Sequence, residues 1–256
     1  MVLLARGGIF LPAGIVLFGK GDTTNVSVGV VIPAAGLGKR MGTKESKQFL
    51  ELDGQPILLH TLFLFDQQPE ITEIVLAVRE EEQERVYQMV TEAGLRKVTK
   101  IVVGGKERQD SVYQGLLACE TEYVLVHDAV RPFVEPERLQ QLISVVREKD
   151  AAILAVPSKD TIKEVHEGVV TNTPDRAFLW NVQTPQAFRR SLLIEANHHA
   201  GQQQLAVTDD ASIMEHYGHP VTVVMGNYHN IKITTTEDLI YAKAILDSRQ
   251  VGEITR

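Results

Sequence analysis

From Val28 onward, short apolar runs alternate with longer stretches of helical spacing. Val28–Ile32, Glu73–Val78, Val98–Val103, Tyr123–His127 and Ala151–Val156 are rich in Val, Ile, Leu and Ala. Such near-continuous apolar runs fit strands covered on both faces. Between them, Pro56–Gln67, Glu80–Ala93, Asp110–Cys119 and Pro136–Lys149 read as helices, the first with Ile57, Leu58, Leu62 and Phe65 as its apolar set. Gly94 ends the second of these helices. Leu192–Gln202, Pro220–Met225 and Thr236–Ser248 continue as helix, strand and helix. This alternation predicts an α/β fold: a mostly parallel sheet with helices on both faces.

One segment breaks the rhythm. Thr161-Ile162-Lys163-Glu164-Val165-His166 alternates at period two, Glu167-Gly168 turns, and Val169-Val170-Thr171 returns. The stretch from Lys159 to Thr173 therefore predicts a polar, two-faced β-hairpin. An isolated hairpin is marginal in water, so this one needs support, and a second subunit is the expected source.

Length and charge narrow the setting. At 256 residues the chain is one large domain or two small ones. A net charge of −7 argues against general nucleic-acid binding, which requires a basic surface, but allows a polyanionic small substrate met by local cations. Cys119 is the single cysteine, so no intrachain disulfide forms. This suits a reducing, cytoplasmic setting, with Cys119 read as a buried apolar residue. Residues 1–27 differ from the rest of the chain: Met1–Phe18 is apolar and glycine-rich, interrupted by Pro12 and Gly14, and Gly19–Ser27 is polar. The apolar part is too short to span a bilayer. The expectation is a disordered extension outside a domain running from 28 to 256, with no membrane partner.

Candidate chemistry begins where the first strand ends. Val30–Ile32 leads into Pro33-Ala34-Ala35-Gly36-Leu37-Gly38-Lys39-Arg40-Met41-Gly42, followed by Lys47-Gln48. Small residues let a ligand approach the backbone, and the cations suit phosphate. The glycine spacing matches neither the dinucleotide fingerprint nor the Walker A loop. Asp128, directly after the Tyr123–His127 strand, suits either Mg²⁺ coordination through one carboxylate or a helix N-cap. Thr208-Asp209-Asp210 has the same two readings. Gly104-Gly105 and Ser111 expose groups able to read the edge of a base, or form a turn with a capped helix. Asn230–Thr234 is expected as a short strand presenting Lys232.

Taken together, these blocks resemble the 2-C-methyl-D-erythritol 4-phosphate cytidylyltransferase family of the non-mevalonate isoprenoid pathway. The resemblance runs through Pro33–Met41, Lys47-Gln48-Phe49, Gly104-Gly105, Glu107-Arg108, Asp110-Ser111-Val112 and His127-Asp128-Ala129-Val130-Arg131-Pro132. It continues through Asp160–Lys163, Asp175-Arg176, Thr184-Pro185-Gln186, Thr208–Ser212 and Asn230–Thr234, in order from Val28 to about Leu246.

The resemblance implies a Rossmann-like sheet with a protruding β-arm exchanged in a homodimer. It also implies a nucleotidyltransferase that joins CTP to a sugar-alcohol phosphate with Mg²⁺ or another divalent cation. Arg40, Lys47 and Lys232 match the catalytic cations. Pro33, Ala34, Ala35, Gly36, Gly38, Gly105, Lys106, Ser111, Asp128 and Ala129 match the CTP site, with Asp128 also near the metal. Arg131, Thr161, Arg176, Thr184 and Asp209 match the acceptor site, Thr161 and Arg176 arriving from the partner. A ribitol 5-phosphate cytidylyltransferase shares several blocks, but that family tends to open with Leu-Ala-Gly-Gly, where this chain has Pro33-Ala34-Ala35-Gly36. A non-catalytic CTP sensor is the rival from another class.

Overall fold

The structure is a computed structural model, and it describes residues 8–11, 15–18, 27–36, 46–203, 205 and 207–254. Four parallel neighbours form the centre of the sheet: β3 (Val28–Pro33), β6 (Ile71–Val78), β7 (Val98–Val103) and β8 (Tyr123–Val126). Two more strands, β9 (Ala151–Pro157) and β13 (Thr222–Met225), also run parallel to each other. Between β8 and β9 lies β12 (Trp180–Arg189), antiparallel to both. With β1 (Gly8–Leu11) and β2 (Ile15–Phe18) at one edge, the order is β1-β2-β7-β6-β3-β8-β12-β9-β13.

Alternation along each central strand explains the two layers of helices. Val28, Val30 and Ile32 of β3 share one apolar cluster with Ile74, Leu76 and Val78 of β6. That cluster receives Leu58, Leu62 and Phe65 of α1 (Ile57–Asp66), Val86 and Val90 of α2 (Gln83–Glu92), and Leu139, Leu142 and Val146 of α4 (Pro136–Lys149). The intervening Val31, Val75 and Ala77 face the other way. They meet Val112 and Leu116 of α3 (Arg108–Ala118), Leu193 and Ala196 of α5 (Arg190–Gln202), and Ile213 and Met214 of α6 (Asp210–His216). Burial on both faces is why these strands read as unbroken apolar runs.

A third cluster joins Leu52, Ile57, Val130, Phe133, Ile233 and Ala242. It secures the final helix α7 (Thr236–Ile254) and the small ribbon β4 (Glu51–Leu52) with β5 (Gln55–Pro56) beside the carboxyl ends of the strands.

Four features differ from the sequence reading. β12 falls within a stretch assigned no strand, because Gln183-Thr184-Pro185-Gln186 carries a proline and polar side chains. Pro185 is accommodated where the pairing register with β9 shifts between Val182 and Gln186, the kind of irregularity to which a residue lacking an N–H is confined. Asn230–Thr234 joins no ladder; it is tied down by single hydrogen bonds instead. The arm is shorter than expected, with β10 (Glu164–His166) paired to β11 (Val169–Asn172). Finally, the reading of residues 1–27 as disordered is corrected for two segments. β1 and β2 form an antiparallel pair, and β2 adds to the edge of β7 at Val16↔Ile101 and Leu17↔Lys100. Two apolar runs thus satisfy their backbone groups on each other and on an otherwise open edge.

Candidate active site

The carboxyl ends of β3, β7 and β8 open on one cleft of about 650 Å³ counted out to its mouth. Ligands in open α/β sheets bind at this edge. One wall continues from β3 as Pro33, Ala34, Ala35 and Gly36, and the Ala34 N–H still donates to Ala77 O (2.7 Å). The facing wall is Gly105, Lys106, Glu107, Arg108 and Ser111. The two walls meet closely: a Cβ on Gly104 would stand 2.6 Å from Ala35 Cβ and 2.8 Å from Ser111 Oγ, so only glycine lets this turn close. Ser111 Oγ donates to Glu107 O (3.1 Å) and accepts from Gly105 N (3.1 Å), which shapes the turn and leaves one lone pair.

The base of the cleft is built around Asp128. Its side chain is nearly buried, and three cations surround it: Lys232 Nζ at 3.0 Å, Arg131 Nε at 3.1 Å and Arg108 Nε at 3.4 Å. Burial alone would push this carboxyl up, but Lys232, Arg108 and Arg131 outweigh it and hold the pKa well below the ordinary carboxylate range. Asp128 is therefore ionised at neutral pH.

A relay of neutral groups fixes its backbone. The Asp128 N–H donates to Thr184 Oγ1 (3.0 Å), which lies 3.1 Å from His127 Nδ1. His127 Nε2 lies 2.9 Å from Arg131 O. A carbonyl only accepts, so Nε2 carries the proton and Nδ1 accepts from the Thr184 hydroxyl. Burial lowers the His127 pKa to about 4, which keeps the ring neutral for this role.

Lys232 reaches the cleft from far along the chain. The Ile233 N–H donates to Val130 O (3.0 Å), and buried Asn230 donates through Nδ2 to Thr184 O (2.9 Å). Arg131 Nη1 in turn donates to Asn230 O (2.8 Å). Lys47, from a 3-10 turn at Lys47–Phe49, lines the same cleft.

Beside it lies a second cavity that shares Glu107 and Arg108 and adds Asp209 and Asp210. Arg108 Nη1 is 2.8 Å from Asp210 Oδ2, so one guanidinium bridges two carboxylates. Burial raises the Asp210 pKa despite Arg108. Burial also opposes the charge on Arg108, but Asp210 and Asp128 outweigh it and raise the Arg108 pKa. Asp209 caps α6: Oδ1 accepts from Ser212 N (3.0 Å) and Oδ2 from Gln186 Nε2 (2.7 Å).

Comparisons with known proteins bear on this geometry. The family model of 2-C-methyl-D-erythritol 4-phosphate cytidylyltransferase (IspD) matches residues 28–248. The chain belongs to this family. The enzyme of that name from Halalkalibacterium halodurans is 47% identical over 222 residues, which cover 86% of this chain and 97% of the relative. Its namesake from Geobacillus kaustophilus is 48% identical over 220 residues, covering 86% and 96%. Among solved structures, the 4-diphosphocytidyl-2C-methyl-D-erythritol synthase from Anaerococcus prevotii superposes with a TM-score of 0.76 at 34% identity, over 86% of this chain and 98% of its own. The cytidylyltransferase from Thermus thermophilus gives 0.72 at 32%, over 86% and 98%.

In this member of the cytidylyltransferase family, the structure gathers most of the residues singled out by sequence. Pro33, Ala34, Ala35, Gly36, Lys47, Gly105, Lys106, Ser111, Asp128, Ala129 and Lys232 line one cleft. Arg131 and Thr184 bond directly to Asp128 from just behind it. Gly38 and Arg40 lie outside the described residues. Asp209 faces the second cavity. Thr161 and Arg176 stand exposed at the arm and its root, where Arg176 Nη1 donates to Lys159 O (2.9 Å). Sequence reasoning gave no role to Gln48, Arg108 or Val130, which also line the cleft. Arg108 lay within a matching block, but its link to Asp210 joins residues far apart in the chain, which local spacing does not reveal.

Proposed function

We propose that this chain joins CTP to 2-C-methyl-D-erythritol 4-phosphate in isoprenoid biosynthesis, giving 4-diphosphocytidyl-2-C-methyl-D-erythritol and pyrophosphate. The observation that carries this reading is the placement of Lys47 and Lys232 in one cleft with ionised Asp128, opposite a wall of small residues. An oxygen of the acceptor phosphate attacks the α-phosphorus of CTP. A new P–O bond forms as the bond to the β-phosphate oxygen breaks, and pyrophosphate leaves. The acceptor phosphate is already largely ionised near neutral pH, so no side chain has to remove a proton. Both reactants are anions, and preorganised cations offset their repulsion as charge shifts in the transition state.

In this mechanism Lys47 and Lys232 face the phosphates, and the resemblance adds Arg40 as a third cation. Ala34, Ala35, Gly105, Lys106 and Ser111 close around cytosine; a wall this tight favours a pyrimidine over a purine. Asp128 serves the ribose and a divalent cation. Among the described residues no group of three or more metal-ligating side chains occurs, and Asp128 is a single carboxylate. That donor set fits Mg²⁺ held by one carboxylate with phosphate oxygens and water. When bound, the ion would neutralise phosphate charge; Lys47 and Lys232 hold the reactants in line.

The reading extends to a cytoplasmic homodimer in which Thr161 and Arg176 of one subunit serve the acceptor site of the other. Support comes from the exposed apolar side chains around them, Val165, Val169, Val170 and Phe178. No helix among the described residues is long and apolar enough to cross a membrane. The test is turnover with CTP and either methylerythritol 4-phosphate or ribitol 5-phosphate, with and without Mg²⁺, read by pyrophosphate release. Preference for methylerythritol phosphate is expected. Preference for ribitol 5-phosphate, or CTP binding without release, overturns the reading.

A further inference from the structure

Lys47 sits between two buried neighbours, Ser46 and Gln48, which lead to the same carboxylate. Ser46 Oγ donates to Glu82 Oε1 (2.7 Å). Gln48 Nε2 approaches Glu82 Oε2 (3.4 Å) and donates to Ala34 O (2.7 Å), in the wall that continues β3. Glu82 is itself buried, at 6% exposure, and is paired by Arg79, whose Nη2 lies 2.5 Å from Oε1 and 3.0 Å from Ser46 Oγ. The hydrogen bond from Arg79 to Glu82 is the leading cause that raises the Arg79 pKa. Phe49, the next residue, packs under the Arg85 guanidinium at 4.0 Å from its ring centre.

We infer that Glu82 is a positioning residue: its two oxygens hold the side chains of Ser46 and Gln48, on either side of Lys47, and so aim the ammonium group into the cleft. Glu82 and Arg79 come from the turn after β6, the strand beside β3. The clasp therefore ties Ser46 and Gln48, the two neighbours of Lys47, to the centre of the sheet. The cost of burying this carboxylate is offset by Arg79, and its acceptor sites are met by the two neighbours of one lysine. Positioning of this kind matters because misplacing a reacting group by about 1 Å can cost about 10²-fold in rate.

This inference rests on the cytidylyltransferase reading only for its kinetic arm. In the spectroscopic arm, lysines of the intact protein carry ¹³C-dimethyl labels, and the Lys47 signal is assigned by its loss in Lys47→Arg. In Glu82→Ala that signal should move to the position of an exposed, freely rotating lysine. In Glu82→Gln, which offers one oxygen where the glutamate offers two, it should move part of the way. Glu81→Ala, which removes the surface partner of Arg79, should leave it in place.

In the kinetic arm, Glu82→Ala should lower kcat about 10- to 100-fold with KM for CTP changed less than about threefold. The same change on a Lys47→Ala background should cost less than about threefold, because both act through one ammonium. A Lys47 signal unmoved in both Glu82 variants overturns the inference whatever the protein catalyses. So does a full Glu82→Ala loss in the absence of Lys47. A moved signal in a protein that releases no pyrophosphate from CTP leaves the clasp standing and counts against the catalytic reading instead.

Discussion

The cleft and the arm are built on opposite terms. Around Asp128 the polar groups find partners within the chain: three cations, a threonine hydroxyl and a neutral histidine, all fixed by buried backbone. The arm presents its apolar side chains to solvent, with Val169 at 65% and Phe178 at 82% exposure. A two-stranded hairpin of this kind has no core of its own. One chain is therefore sufficient to shape the proposed nucleotide half of the site, while the arm leaves its apolar side chains uncovered.

The most severe challenge to this contrast is to empty the centre of the cleft. Asp128→Ala leaves three cations facing one another, and breaking a buried pair costs about 3–5 kcal/mol. The lower end is expected, because Lys232 and Arg108 are each about one-third exposed. Denaturant unfolding of the variant measures this. A loss below about 1 kcal/mol would mean the cluster is solvated rather than structural.

Next comes Lys47→Ala, expected to remove about 2.7–4 kcal/mol of transition-state stabilisation, or 10²–10³ in kcat. A change confined to KM for CTP would show that Lys47 grips only the ground state.

The third effect depends on pH. His127 ionises near 4 in the folded chain, against an ordinary 6.5. The unfolded chain therefore takes up the proton first as pH falls. The stability contribution of His127 is fully present above pH 6.5 and lost progressively toward pH 4, by about 3 kcal/mol. His127→Gln removes that dependence. Unfolding free energies at pH 7.5, 5.5 and 4.5 should therefore fall less steeply in the variant than in the parent, and equal slopes would refute the role given to burial.

The arm contributes least to stability. Arg176→Ala should change unfolding by less than about 0.5 kcal/mol, because the residue is exposed. Its activity is expected to collapse all the same. In the proposed homodimer, mixing it with Lys47→Ala subunits should then recover up to about one-quarter of wild-type turnover, since half of such dimers would be hybrid and each hybrid would keep one intact site. No recovery would argue for a site completed within one chain.

Those two regions were also unequally legible in the sequence. Pro33–Gly36, Gly104-Gly105 and Asp128 were readable because each follows an apolar run, and a strand's end is where such a sheet binds ligands. Lys232 gained a catalytic role only through the resemblance, and its expected strand is a loop anchored by Asn230 and Ile233. Glu82 had no mark of its own in the sequence, as one acid of Glu80-Glu81-Glu82; only the fold buries it beside Ser46. β12 was hidden because Pro185 and the polar residues beside it carry the marks of a turn. Its hydrogen bonding depends on β8 and β9, which local pattern does not encode. The arm's alternation was clear from the sequence, but the surface that would cover it was not.

That same strand acts as a ruler between the two regions. Trp180 marks the root of the arm and Thr184 the floor of the cleft, four positions apart on β12, a span of about 13 Å at about 3.3 Å per residue. Because side chains alternate sides, inserting a single residue between Trp180 and Val182 would leave the cleft in register and turn the root of the arm toward the opposite face of the sheet. The distance between arm and cleft is thus stored in a handful of backbone steps along one strand.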